Sequence, residues 1–415
     1  MPKSRRRWWA YLLIGVPLTV VALAGAVVGA YIYLLTQIAI GPGEVDARRP
    51  QTRLFAWPLR VVDRVNILIM GVDVTLDNRR RVVNISRADT LILLSVDPHR
   101  RRIAAVSIPR DTRVQIPGIG ENKINASYAY GGPQLTIRTV EQFLAVKVHY
   151  YIKLGPDSFA RLVDAIGGLE VDVEKDMRYA DTWAGYSINL KKGRQKLNGE
   201  QVTGYIRFRH DPLGDIGRVE RQRQVMNTLV QELRQPRTVL HGPSLLRAFA
   251  QNTQTDLSAM ELMSLGLFAI RSKAAMQEVT LPGGFAPLYW EPDFAKIRPM
   301  IADLFYGLSR DDLASTLIEV KNASGMPGLA RQAAARLQEV GFRNVRVLAS
   351  PDIAATTTVI SRLPSPSAAR LAAAALGRAV LKEAPGTLGP SITVIVARDA
   401  TDRSAGPVRR NGGSQ

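Results

Sequence analysis

From Trp8 to Ile40 the chain carries no charged residue, and Lys3, Arg5, Arg6 and Arg7 stand just before this run. An α-helix needs roughly 20 apolar residues to cross the hydrocarbon core of a bilayer, so the run predicts a single transmembrane anchor. Basic residues on its short N-terminal side predict that this end stays in the cytoplasm, with everything after residue 40 outside. The competing reading is a cleaved signal peptide, for which Ala22-Leu23-Ala24 offers small residues, although the apolar run continues well beyond that point. Both readings export the bulk of the chain.

The remaining length is enough for one large and one small domain among the 415 residues. Cysteine is absent, which removes disulfides, thiolate nucleophiles and cysteine metal sites. A formal charge of +19 points to an anionic partner, and export excludes nucleic acid from that role, leaving lipid headgroups or a phosphate-bearing polymer. Part of the excess is read as solvated surface, the His99-Arg100-Arg101-Arg102 turn among it. No P-loop, no Gly-x-Ser-x-Gly elbow and no metal-ligand spacing of the four histidines occurs.

Composition shifts set the boundaries. The predicted organisation is a basic tail (1–7), the anchor (8–40), a Pro- and Gly-rich spacer (41–60), a main domain (61–310), a small domain (314–398) and a disordered polar tail (399–415). Short β-branched runs at Asn66 to Val72, Thr90 to Val96 and Ile103 to Ile108 predict three strands. Helical spacing follows at Pro133 to Leu144, Pro156 to Ile166, Gly217 to Leu233, Leu257 to Ile270 and Ala295 to Leu308, with a strand at Leu169 to Val173. The main domain is therefore expected to be mixed α/β, a central sheet flanked by helices. The small domain reads as α+β, with strands at Leu317 to Val320, Val345 to Leu348 and Ile392 to Val396 and helices at Gly328 to Val340 and Ala368 to Lys382.

The chemistry lies in arginine and aspartate clusters. If the first three strands form an up-down-up meander, Asp73 at the end of the first, Asp89 at the start of the second and Arg110 after the third emerge at one sheet edge. Two carboxylates there suit Mg²⁺, with Mn²⁺ as its substitute, since such an ion keeps several waters and shares phosphate oxygens. Tyr205 to Arg209, read as a strand, puts Arg207 and Arg209 on one face as parallel guanidinium forks. Arg218, Arg221 and Gln222 follow at helical spacing near a predicted helix start, where an anion is favoured. Each cluster also has a plainer reading: Asp73 as a turn former, Arg207 and Arg209 as the exposed face of an edge strand, Arg221 with Glu220 as a soluble helix face.

Taken together, the motifs resemble the LytR-CpsA-Psr family of bacterial envelope proteins. The resemblance is carried by Asn66 to Asp73, Arg87-Ala88-Asp89-Thr90, Ser107 to Asp111, Lys123-Ile124-Asn125-Ala126, Leu197 to Gln201, Arg207 to Asp211, and Gly217-Arg218 with Glu220-Arg221-Gln222. Residues 320 to 342 resemble the small LytR C-terminal domain often appended to such proteins. The resemblance implies a phosphotransferase outside the membrane that moves a glycopolymer from a polyprenyl pyrophosphate carrier to peptidoglycan. Asp73 and Asp89 would hold the metal, and Arg87, Arg110, Arg207, Arg209, Arg218 and Arg221 would bind the pyrophosphate. Asp89, Asp111 and Asp211 are the candidates to take the acceptor's proton. Two other classes stay open: a hydrolase that gives the same pyrophosphate to water, and a membrane-bound transcriptional attenuator.

Overall fold

The computed structural model describes residues 54–56, 60–72, 75–76, 82–83, 87–181 and 186–208, parts of 217–235, and 253–271, 276–350, 352–377 and 379–403. Asp73, Arg209, His210, Asp211, Arg218 and the expected anchor and tail beyond 403 lie outside these residues, as do the details of Arg207's side chain. Among the described residues no helix is long and apolar enough to cross a membrane.

Strand β1 (Val65–Val72) is almost wholly buried, as its run of apolar residues requires. It pairs antiparallel with β2 (Ala88–Asp97), and β2 pairs antiparallel with β3 (Arg102–Ile108), which is the expected meander. A bulge falls between Gly71 and Val72, opposite Thr90 and Ala88. Gly71 is required there, because a Cβ would sit 2.9 Å from the Thr90 Cβ. The hairpin of β4 (Arg113–Ile116) and β5 (Gly120–Lys123) leads into α1 (Ala126–Leu144). That helix begins seven residues before the predicted Pro133 start and is interrupted at Gly131 and Gly132, the latter with φ 58°. Strand β6 (Tyr150–Leu154) then lies parallel to β1.

The chain divides into two compact units, and the segment Asp157–Ile270 belongs to one of them. It holds α2 (Pro156–Ala165), two antiparallel ladders, β7 (Leu169–Val173) with β10 (Gly193–Leu197) and β8 (Met177–Asp181) with β9 (Tyr186–Leu190), then α3 (Gly199–Arg207) and α4 (Ala259–Arg271). Tyr205 to Arg207 is thus helical, which corrects the strand expected there. A capping box decides it: the Asn198 side chain accepts from the Gln201 N–H at 2.9 Å, and the Gln201 side chain accepts from the Asn198 N–H at 3.0 Å. The helix buries Val202 and Tyr205 with Val163, Leu169 and Val171. Period-2 alternation of Arg207 and Arg209 therefore does not apply.

The other unit includes Val61–Pro156 and everything from Arg271 onward. Strand β11 (Met276–Thr280) runs parallel to β3. A hairpin of β12 (Gly283–Phe285) and β13 (Trp290–Pro292) precedes α5 (Phe294–Ile301), which continues into a π-helical turn at Ala302–Tyr306. The small domain is a sheet of β14 (Ile318–Asn322), β15 (Val345–Ala349), β16 (Thr358–Ser361), β17 (Val380–Glu383) and β18 (Ile392–Val396), in the order β15-β14-β18-β16-β17. It carries α6 (Leu329–Glu339) and α7 (Ser367–Leu376). The predicted helix to Lys382 stops at Gly377, whose φ of 85° ends it, and the chain re-forms as β17. One continuous apolar core joins both parts, from Leu68 and Met70 through Phe305 and Tyr306 to Ala369 and Val396.

Candidate active site at the sheet edge

Strands β1, β3, β6 and β11 run in one direction and β2 in the other, so four carboxyl ends and the start of β2 meet at one edge. Ligands of open α/β sheets bind outside the carboxyl ends of the strands. The loop Pro109 to Thr112, which leaves β3 here, is held at every carbonyl. Pro109 accepts from the Thr112 N–H and hydroxyl, Arg110 from the Asn125 N–H at 3.2 Å, Asp111 from the Trp290 N–H at 2.8 Å and Thr112 from the Ile124 N–H at 2.9 Å. A loop fixed this way presents its side chains without an ordering cost at the moment of binding.

Those side chains form a charged cluster. The Arg110 guanidinium lies between two carboxylates, Nη1 at 3.3 Å from Asp89 and Nε at 3.7 Å from Asp111. Lys123 at the end of β5 reaches Asp111 at 2.9 Å. All four side chains are a third or more open to solvent or nearly so, Arg110 and Asp89 both at 39%. Two cations and two anions leave the cluster neutral by itself, and the pairs are loose enough to re-form around an incoming phosphate. Arg87, at the start of β2, is exposed.

The structure thus brings together three of the expected residues, Asp89, Arg110 and Asp111, and adds Lys123. Lys123 opens the Lys123-Ile124-Asn125-Ala126 motif, and its place at a strand end after a Gly turn was the available signal. Among the described residues no group of three His, Asp or Glu side chains is placed to hold a metal ion. The donor chemistry still fits Mg²⁺, which asks for only one or two carboxylates beside water and phosphate oxygens, and Asp89 offers one at the open edge.

Arg221, expected among the pyrophosphate-binding arginines, has a side chain that is 3% exposed, pairs with Glu174 at 2.9 Å, donates to the Phe208 carbonyl and lies over the Tyr205 and Phe208 rings. Tyr205 donates to the same Glu174 at 2.9 Å. Burial pushes the Glu174 carboxyl up, but its own backbone N–H, Arg221 and Tyr205 together hold it below the usual range. The observed work of Arg221 is to fix the end of α3, where Arg207 stands.

Comparison with known proteins gives matches over both parts of the chain. The model of the LytR_cpsA_psr family matches residues 44–298. That of LytR_C, the LytR cell envelope-related transcriptional attenuator, matches residues 315–399. Polyisoprenyl-teichoic acid–peptidoglycan teichoic acid transferase TagU of Halalkalibacterium halodurans is 36% identical over 253 residues, which span 59% of this chain and 80% of TagU. Regulatory protein MsrR of Staphylococcus aureus is 33% identical over 239 residues, 57% of this chain and 70% of MsrR. Among solved structures, protein gbs0355 of Streptococcus agalactiae superposes with a TM-score of 0.53 at 25% identity, covering 61% of this chain and 89% of gbs0355.

Proposed function

The chain belongs to the LytR_cpsA_psr family, and from that premise we propose that it is a transferase moving a glycopolymer phosphate from a polyprenyl pyrophosphate carrier to peptidoglycan, outside the cell membrane. The observation that carries this reading is Arg110, set between Asp89 and Asp111 on a loop with every carbonyl bonded, in a chain that resembles a named teichoic acid transferase. Phosphoryl transfer asks a protein mainly to position reactants and neutralise charge, which needs no covalent nucleophile.

In this proposal the acceptor hydroxyl oxygen bonds to the phosphorus next to the glycan. The bond from that phosphorus to the bridging oxygen breaks, and polyprenyl phosphate leaves with the electron pair. Arg110 and Lys123 turn from their carboxylates to the non-bridging oxygens, joined by Arg87; Arg207, Arg209 and Arg218 are proposed as pyrophosphate binders on the family resemblance alone. The hydroxyl proton passes to one of the carboxylates that flank Arg110. Asp89, with Asp73, would hold Mg²⁺, which when bound supplies charge neutralisation at the pyrophosphate. The run Trp8 to Ile40 would keep the site beside a substrate that stays in the bilayer.

The test is the full-length protein with a lipid pyrophosphate-linked glycan, peptidoglycan and Mg²⁺. Acceptor-dependent product that disappears on chelation is expected; release of glycan phosphate at the same rate without peptidoglycan would make the protein a hydrolase instead. The name of MsrR motivates a regulatory reading. An export-dependent reporter fused after Gln415 decides it, because an inactive reporter would place the basic domains in the cytoplasm.

A further inference from the structure

Beside the charged cluster stands a surface of opposite character. From Leu281 to Trp290 the chain has no charged residue, and it folds back on itself as β12 and β13. Phe285 is 84% exposed and Leu288 71% exposed, although both are large and apolar. The Phe285 ring is not loose: it makes a T-shaped contact with Trp290 at 4.9 Å between centroids. The hairpin itself is closed by the Ala286 N–H to Tyr289 carbonyl bond at 2.8 Å. Gly283 permits the close approach of its strands, since a Cβ there would lie 2.4 Å from the Glu291 carbonyl and from the Trp290 indole nitrogen. Its base is bonded directly to the reaction loop, through the Trp290 N–H to the Asp111 carbonyl and a bridge between Thr112 and Trp290.

A rigid aromatic ring facing water is a poor device for phosphate, which asks for cations, and a good one for the C–H face of a pyranose ring, which packs on it at little entropic cost. A bilayer surface is the competing occupant, and the bordering charges argue against it. Anionic headgroups attract free Lys and Arg, whereas Arg113 is paired with Glu121 and Glu291 and lies over Tyr289, and Lys296 is paired with Asp293 at 3.0 Å. The tip is uncharged and each of these bordering cations is matched by a carboxylate, which favours a neutral occupant on a hairpin whose base is bonded to the Asp111 carbonyl.

We propose that the Leu281 to Trp290 hairpin is the acceptor subsite, where an uncharged amino-sugar ring of the acceptor polysaccharide stacks on Phe285 with Leu288 beside it. This rests on the transfer reading for its purpose, but the binding is measurable without turnover. Full-length protein in detergent is titrated calorimetrically with a neutral N-acetylglucosamine pentamer, in the absence of any lipid donor. Phe285→Ala is expected to weaken binding about tenfold, the effect of losing one aromatic contact, with Phe285→Tyr retaining it. An unbound wild type, or equal binding by Phe285→Ala, would overturn the subsite. So would intact pentamer binding in Phe285→Ala together with a raised donor KM in proteoliposomes, which would assign the tip to lipid. If the wild type binds the pentamer through Phe285 yet turns over no donor, the subsite stands and the transfer reading falls.

Discussion

The two edges of the central sheet use the same residue types to different ends. At the carboxyl edge, Arg110 stands 3.3 Å or more from its carboxylates and is 39% exposed. At the opposite edge, Arg64 donates to Asp97 and to the Phe305 carbonyl, and Asp97 also accepts from the His99 and Arg100 N–H groups at 3.0 and 3.2 Å. Asp63 takes both Nη atoms of Arg370, at 2.9 and 2.7 Å, and so fastens α7 of the small domain. Arg100 and Arg102 reach Gly307 and Asp303 in the same region. The half-open Arg110 pairs can exchange partners, whereas the more enclosed, multiply bonded Arg64–Asp97 and Arg370–Asp63 pairs hold shape. One edge is built to bind, the other to brace.

The largest effect that would break this comparison is at Arg110. Arg110→Ala should lower the transfer rate by about 10²- to 10³-fold, the usual loss for one positioned charge donor, with the thermal midpoint unchanged. Next is the pH response of the bracing edge. His149 is half-buried, its Nδ1 accepts from the Asn66 N–H at 2.9 Å, and desolvation with help from Lys147 lowers its pKa from 6.5 to about 4. The unfolded chain therefore binds a proton that the fold refuses. Stability is full above 6.5 and falls as pH drops toward 4, by on the order of 3 kcal/mol. Urea titrations at several pH values should show this slope in the wild type and not in His149→Gln.

Smaller effects sharpen the contrast. Arg370→Ala should cost about 1–3 kcal/mol in the same urea titrations and leave transfer per folded molecule unchanged, since Asp63 loses its partner far from the site. Burial pushes the Asp63 carboxyl up, but Arg370 and the Arg64 N–H outweigh it and hold the pKa below 3.8. This brace is thus complete above that value and weakens only as pH falls below it. Gly71→Ala should cost roughly 1–2 kcal/mol by crowding Thr90. It should also reduce transfer a few-fold by displacing the neighbouring Asp89, a loss seen at saturating substrate.

The binding edge was far more legible in the sequence than the bracing edge. Alternating turns and apolar runs fixed β1 to β3, and the meander alone carries Asp89 and Arg110 to one edge. Strand reading failed at Tyr205 because five alternating residues cannot outvote a helix cap, although Asn198 and Gln201 spelled that cap. The bracing contacts had no local signal: Asp63 and Arg370 are 307 residues apart, Arg64 and Phe305 are 241 apart. The basic turn at His99 to Arg102 is largely solvated surface, as read, yet Arg100 and Arg102 also reach Gly307 and Asp303, contacts with no local signal. Long-range pairing of this kind is decided by the closed fold, and period and composition carry no trace of it.

The most direct test of the account is transfer per folded molecule for Arg110→Ala and Arg370→Ala, assayed side by side with lipid-linked glycan, peptidoglycan and Mg²⁺. The account predicts that Arg110→Ala keeps the wild-type melting curve and loses transfer, while Arg370→Ala melts earlier and transfers at the wild-type rate. Wild-type transfer by Arg110→Ala, or a loss that merely tracks its unfolded fraction, would contradict it.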